Sequence, residues 1–392
     1  KFPMPTRHKK FSDKVFNYCL KYGRKFHYFS ISNHKCSDRY NPFLFGEPSQ
    51  IKDKIMSVTD WSEKGDGVYY KKLSELALQV AVEELKEDIT LKKIKNLIPD
   101  DEVLIGLKTD LELLDRTPFS YLMDDTENGL FEIYQQEKVF FISLDEDSYP
   151  VISESLGKIV LSDLKSLSGY INNHINENER KPISLYIDEI STFMSDFMAD
   201  YFFNFLAKTR SSNISVIMAS HAPKGDFEKY GSHILDRLIS LTTTHIIMRN
   251  TAPDSAEYLS KMLGTKEAEK LTSQISEGVF SLKTGLGSMR PVEEFVISPN
   301  KIRKLQRAEA YIHIAEGNVL EWVYLDHYHH DKQEGISYEN YFEKMNGLNE
   351  NDTRGEYGPN QEKGRTGKKG EKERERTVQG KLSLRVSEQA EG

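Results

Sequence analysis

The stretch ISLYIDEIS, residues 183–191, decides the fold: a run of apolar residues ends in two adjacent carboxylates, Asp188 and Glu189. The run suits a short strand buried in a sheet. Carboxylates at the end of such a strand have a specific chemical use. One can hold Mg²⁺ while its neighbour orients an attacking water, as nucleotide hydrolysis requires.

Similar runs recur outward from it. KFHYFSI (25–31), KVFFISL (138–144), ISVIMAS (214–220) and THIIMR (244–249) are β-branched or aromatic and bounded by polar turns, which predicts strands covered on both faces. Helical stretches separate them, and that alternation predicts an α/β fold with a mostly parallel sheet. GVFSLK (278–283) and EEFVIS (293–298) flank the Gly-rich TGLGSMRP and predict a closing hairpin. Residues 253–275 predict helix, interrupted at Gly264. From Phe193 to Leu206 apolar residues recur in pairs four apart, a wide helical stripe that packs into a core.

Residues 53–136 have a different texture, with helical spacing and no convincing strand, and predict an all-helical insertion. The expected organisation is therefore the N-terminal part of an α/β domain (1–52), the insertion (53–136), the α/β core carrying the Asp-Glu strand (137–325) and a charged tail (326–392). The tail is rich in Gly, Lys, Arg and Glu, with almost nothing to bury, and is expected to stay disordered.

The bulk composition narrows the function. The 392 residues are 38% hydrophobic with a formal charge of −8, so a core can form and a generally basic nucleic-acid coat is excluded. Two cysteines, Cys19 and Cys36, give neither a disulfide framework nor a zinc motif, which fits a reducing, cytoplasmic setting. No window is long and apolar enough for a membrane span, so the chain is expected to be soluble. DHYHHD (326–331) offers adjacent histidines, but neighbours in sequence rarely converge on one ion, and a linker reading is preferred. Lys71, Lys72, Lys92, Lys93 and Lys95 in the insertion are suited to weak phosphate contacts or to simple solvation.

Other residues extend the hydrolase reading. Ser220 and His221 end the 214–220 run, where a polar group can sense a terminal phosphate, and Arg210 lies just before that run, suited either to a neighbouring subunit's nucleotide or to a surface salt bridge. One part is missing. G-x-x-x-x-G-K-[ST], whose backbone N–H groups cradle phosphates, does not occur; GTKEAEK (264–270) has the wrong order and GLGSMR (285–290) lacks the lysine.

Taken in order, DRYNPFLFGEPSQIKDKIM (38–56), KVFFISL with ISESLGKIVLSDLK (152–165), LYIDEISTF (185–193), AKTRSSNISVIMASHAPKGDFEKYG (207–231), APDSAEYLSKMLGT (252–265) and SMRPVEEFVISPNKIRKL (288–305) resemble the type IV coupling proteins, the TraD/TraG class of conjugation and type IV secretion ATPases. The resemblance covers roughly residues 11–325. It implies a RecA-like, P-loop NTPase-type motor domain with an all-helical insertion, hexameric, at the cytoplasmic face of a bacterial inner membrane. It further implies ATP and Mg²⁺ as cofactors, and a single-stranded DNA–relaxase complex or protein substrates as cargo for a secretion channel. In that family the P-loop precedes the YNPF region, which implies that the phosphate cradle would precede residue 1.

Carried onto this sequence, the resemblance implies Asp188 as Mg²⁺ ligand and Glu189 as the water-orienting carboxylate. Ser220 and His221 stand where the family often has a glutamine. Arg210 matches a family arginine by position, and Arg290, beside a Gly-rich turn, is placed to face a neighbouring subunit. The expected function is an ATPase subunit that drives substrate transfer, inactive as this chain alone. Two alternatives stand beside it: a P-loop-lacking docking platform, and another DNA-pumping RecA-like ATPase.

Overall fold

A strand of four successive aromatic rings, Phe26 to Phe29, near the N-terminus begins the sheet architecture. The computed structural model of the chain describes residues 6–59, 67–86, 89–116, 118–123, 128–145, 148–193, 196–228, 230–273, 287–325 and 335–346. Helix α1 (Thr6–Lys21) leads into β1 (Phe26–Ser30), and after a buried loop α2 (Pro48–Met56) starts with Pro48 at its first turn. The helices α3 (Gly67–Leu85), α4 (Leu91–Leu97), α5 (Ile105–Asp115), α6 (Pro118–Met123) and α7 (Leu130–Gln135) precede β2 (Val139–Ser143). β2 pairs in parallel with β1, from Phe26↔Val139 to Ser30↔Ser143, so these helices form one long crossover between paired strands. Helix α2 runs continuously through residue 52.

The long α8 (Pro150–His174) buries Leu156, Ile159, Leu164, Leu167 and Ile171, residues three to five apart that share a face. Then β3 (Ile183–Ile187), α9 (Asp196–Thr209) and β4 (Ile214–Met218) form a second parallel unit, in register from Ile183↔Ile214 to Ile187↔Met218. Phe202, Phe203, Phe205 and Leu206 carry the buried stripe of α9. Helices α10 (Pro223–Glu228) and α11 (Ser232–Leu241) lead to β5 (Thr244–Met248), and α12 (Pro253–Met262) follows it. Each of the strands expected at 25–31, 138–144, 183–188, 214–220 and 244–249 is present within those bounds.

Beyond α12 the structure corrects the sequence reading. Helix ends at Met262, Gly264 turns the chain with φ +87°, and residues 265–273 form β6 (Thr265–Ser273) rather than more helix. β6 pairs antiparallel with β7 (Gly287–Phe295). The closing hairpin thus exists with a different first arm, and the expected arm at 278–283 lies outside the described residues. TKEAEKLTS is rich in helix formers, and strand pairing overrides that local preference. Helix α13 (Pro299–Lys304) precedes β8 (Glu309–Ile314) and β9 (Val319–Tyr324), a hairpin that joins β5 in an antiparallel sheet. Its four-residue turn, 315–318, places Gly317 at φ +87° and Asn318 at φ +49°, left-handed positions that Gly and Asn adopt more readily than other residues.

A last helix, α14 (Tyr338–Asn346), corrects the reading of 326–392 as structureless throughout. Tyr338, Tyr341 and Phe342 lie on one helical face and pack on the aromatic cluster of Phe16, Phe26, Tyr28 and Phe141. The DHYHHD cluster and residues 347–392 lie outside the described residues.

The loop between β1 and α2 anchors the insertion. Tyr40 N–H donates to the Leu122 carbonyl at 3.0 Å, and Asn41 Nδ2 donates to the Ile89 carbonyl at 2.9 Å. Tyr40 and Phe43 are fully buried, so the YNPF segment is a structural plug between the helical region and α8.

Candidate functional site

Parallel pairing brings the ends of β3 and β4 together. Asp188-Glu189 and Ser220-His221 therefore leave the sheet at the same edge, the carboxyl end of both strands. Main-chain bonds close the two exits onto each other: Ala219 N–H donates to the Ile187 carbonyl at 2.9 Å, and Ile190 N–H donates to the Ala219 carbonyl at 3.1 Å. Glu189 sits in left-handed backbone with φ +50°, a conformation uncommon for a side chain of this kind. That turn sets its carboxylate against the neighbouring strand end, where Glu189 Oε1 lies 2.8 Å from His221 Nε2. The pair is open to solvent, His221 at 81% and Glu189 at 52% side-chain exposure, so it is accessible to a ligand.

Around this pair the strand ends are wired together. Asn250, just past β5, donates from Nδ2 to the His221 carbonyl at 3.0 Å. Asp226 in α10 accepts from Ser220 Oγ at 2.5 Å and from Ala222 N–H at 3.0 Å through the same oxygen, Oδ2. The Ser220 hydroxyl is thus committed to the turn, and His221 is the side chain of this strand end that faces Glu189. Sequence reading missed Asp226 and Asn250. The position of Asp226 one turn into a Pro-started helix was the available signal for the first; for Asn250 there was none beyond its place after a strand.

Asp188 is exposed at the edge, with Oδ1 accepting from Glu189 N–H at 3.2 Å. A lone exposed carboxylate fits Mg²⁺, which takes one or two protein carboxylates and fills its octahedron with water and phosphate oxygens. Among the described residues no group of three or more His, Cys, Asp and Glu forms a dedicated cage. The phosphate-gripping half of a nucleotide site does not fit these residues, since the sequence carries no G-x-x-x-x-G-K-[ST].

The two arginines fall elsewhere. Arg210 is exposed in the turn before β4, at the opposite end of that strand from His221, about 16 Å along a five-residue strand. Arg290 stands in β7 opposite Lys270, and its side chain lies outside the described residues. In the insertion, the Lys95 ammonium is held by Glu112 at 2.8 Å and by Asp115, so it is committed to carboxylates rather than offered to a phosphate.

One face of these strands is bare. Tyr186 on β3 is 70% exposed and Ile217 on β4 is 50% exposed; on β5, Ile246 and Met248 point out likewise. Parallel strands are ordinarily covered on both faces, and β4 and β5 belong to separate sheets among the described residues.

Residues 119–325, more than half of the chain, match the family described as the type IV secretion-system coupling protein DNA-binding domain. Among solved structures the chain is similar to the bacterial conjugative coupling protein TrwBdeltaN70, with 16% identity, a TM-score of 0.54 and coverage of 80% of each chain. It is similar to the plasmid coupling protein TrwB in complex with ADP and Mg²⁺, with 14% identity, a TM-score of 0.57 and coverage of 82% of this chain and 83% of that one. VirB4 of Thermoanaerobacter pseudethanolicus is similar at 14% identity and a TM-score of 0.51, over 79% of this chain and 78% of that one. These likenesses give the fold, the RecA-like α/β architecture expected from the sequence. No curated protein sequence matches the chain.

Proposed function

The chain belongs to the type IV secretion-system coupling protein DNA-binding domain family, and from that premise we propose that it forms the metal-and-water half of an ATPase that drives DNA or protein substrates toward a secretion channel. The observation that carries this reading is the edge where Asp188 and Glu189 leave β3 beside His221, with Glu189 and His221 2.8 Å apart. Asp188 is the residue that would hold Mg²⁺. Glu189 orients the attacking water and accepts its proton, and His221 fixes the carboxylate that does so. Bound nucleotide would supply the phosphate oxygens that complete the metal's shell.

The phosphate-binding loop is supplied from outside these 392 residues. The bare apolar patch of Tyr186 and Ile217, paired across β3 and β4, supports this, because a strand-and-helix unit seated there would cover it and bring a loop to the carboxyl edge. A TrwB structure holds ADP and Mg²⁺, and nucleotide use by this chain is the corresponding proposal. Arg210, at the far end of β4, is assigned a role only toward a neighbouring copy in a ring. The domain division at residues 52, 136 and 325 stands as part of the same proposal.

The 392-residue chain alone is expected to show no ATP turnover, and a DNA-stimulated rate from it would remove the premise that the cradle lies elsewhere. In protein that carries the phosphate-binding segment, Glu189→Gln is expected to keep ATP binding and lose turnover by orders of magnitude. Equal rates in that variant and its parent would remove Glu189 from the chemistry. The missing phosphate motif favours a second reading, a non-catalytic docking platform. No turnover in any assembly containing the chain, with DNA or substrate binding retained, would establish it.

A further inference from the structure

We propose that the surface formed by α1 and β1 is a peptide socket whose ligand is the segment Gly335–Asn346, and that it takes this segment from a second copy of the chain as well as from its own. The contacts are those of a built recognition site. Asn17 reads the main chain of Ile336 in both directions, donating from Nδ2 to its carbonyl at 2.9 Å and accepting its N–H on Oδ1 at 3.0 Å. Asp13 Oδ1 accepts Tyr338 N–H at 2.8 Å, and Asn33 Nδ2 donates to Glu339 Oε1 at 3.3 Å. A Cβ at Gly335 would lie 2.7 Å from Asn17 Nδ2, so a larger residue there has to displace the Asn17 side chain from its place against the segment.

Tyr338 is the anchor. Its ring enters a cage of Phe16, Phe26 and Tyr28, with centroids 5.1, 5.2 and 5.1 Å away, and it is buried. At the bottom its hydroxyl donates to Asp38 Oδ2 at 2.9 Å, an oxygen that also accepts Tyr28 N–H at 2.8 Å. Without the segment, those aromatic faces and the Asp38 carboxylate would meet solvent together, an apolar patch around a polar floor.

The segment is a ligand rather than part of the sheet. Its recognition runs through side chains of α1, β1 and the loop after β1, and no strand pairing holds it. Nine residues, 326–334, separate Gly335 from Leu325, whose N–H is tied to the Ala308 carbonyl at 2.7 Å. Nine residues of any chain span at most about 30 Å. A nine-residue helix is marginal by itself and folds only where it docks. Every contact available in cis is available, atom for atom, from another copy, so exchange creates no new interface and the spacing of copies sets the balance. Dilute chains close on themselves; chains held side by side exchange.

The test uses full-length chains. Gly335→Val should eject the segment by forcing Asn17 from Ile336, and a labelled peptide of residues 335–346 should then bind saturably. Adding Asn17→Ala should weaken that binding about tenfold, the loss of two main-chain hydrogen bonds. Mixed with a chain of intact segment and emptied socket (Phe16→Ala, Asn17→Ala), Gly335→Val should give a one-to-one heterodimer by light scattering, which excess peptide dissolves. If Gly335→Val lowers the helical circular dichroism of the body, Tyr338→Ala replaces it in both arms. Peptide binding without a heterodimer would overturn the exchange, and a folded chain that binds no peptide would overturn the socket itself.

Discussion

At the scale of single residues, the buried charge under the YNPF loop matters most for stability. Lys54 in α2 and Asp163 in α8 are both fully buried, with Nζ 2.6 Å from Oδ1. Lys54 also donates to the carbonyls of Pro42 and Phe45 at 2.7 and 2.5 Å, and Tyr40 donates its hydroxyl to Asp163 Oδ2 at 2.5 Å. Every strong donor and acceptor in the group is therefore used. Burial pushes the Asp163 carboxyl up from its ordinary range, while Lys54 and Tyr40 pull it back. The Tyr40 phenol is raised well above its usual value by burial and by the same carboxylate. Breaking such a set from one side leaves an uncompensated charge in a dry site, whereas replacing both partners removes the problem. Asp163→Asn is expected to lose about 3–5 kcal/mol of stability by urea denaturation, and Lys54→Met with Asp163→Leu much less than the sum of the single changes. An additive double variant would show that the two charges do not depend on each other.

At the scale of elements, the sequence announced strands wherever burial itself wrote the pattern. The five runs ending at Ser30, Ser143, Ile187, Met218 and Met248 are apolar because both faces, or the inner one, meet packed helices. Asp188, Glu189 and His221 were legible for the same reason, since they follow such runs directly. What the sequence hid is long-range. Thr265–Ser273 looks helical until Gly287–Phe295 is laid against it, and Asn250 becomes part of the site only because the ends of β4 and β5 approach each other. The β8–β9 hairpin does carry a local signal, Gly317-Asn318 between two short apolar runs. Gly264 is the pivot of the misread region: its carbonyl accepts Val296 N–H at 3.0 Å, and no atom lies within 4 Å of a Cβ added there. Any penalty at this glycine comes from its backbone angle alone. Gly264→Ala is expected to destabilise by about 1–2 kcal/mol with unchanged circular dichroism. A neutral result would mean that the turn relaxes to negative φ without loss.

At the scale of the whole molecule, the described residues gather into two apolar cores besides the small aromatic cluster around Tyr338. The larger runs from the insertion through α8, α9 and α11, and the smaller lies between the β5–β8–β9 sheet and helices α12 and α13. An imidazole withdrawn from solvent belongs to each region, His27 fully buried and His245 half-buried. His27, in β1, hydrogen-bonds the Arg39 carbonyl through Nε2 at 3.0 Å, and burial lowers its pKa although Asp38 pulls the other way. His245, in β5, stacks on His313 at 5.7 Å and is lowered first by burial and then by that neighbour. In both cases the unfolded chain binds the proton more readily than the folded one, so stability rises with pH across the histidine range. The contribution is complete above the ordinary pKa of about 6.5 and is lost as pH falls below it toward the folded values. Glu137, bridged by Lys181 and Arg24, and Glu112, bridged by Lys95 and Arg116, are lowered carboxylates whose contribution persists to lower pH and is lost only in acid. The urea midpoint is therefore expected to fall between pH 7.5 and 5.5 and to fall again below about pH 4.5. His27→Gln keeps a donor for Arg39 and should flatten the first step. If the cores unfold together, His245→Gln flattens the same transition. If they unfold separately, each variant changes only its own, as followed by amide exchange in β1 and β5. A midpoint that does not move from pH 7.5 to 5.5 would contradict the withdrawal of both imidazoles from solvent.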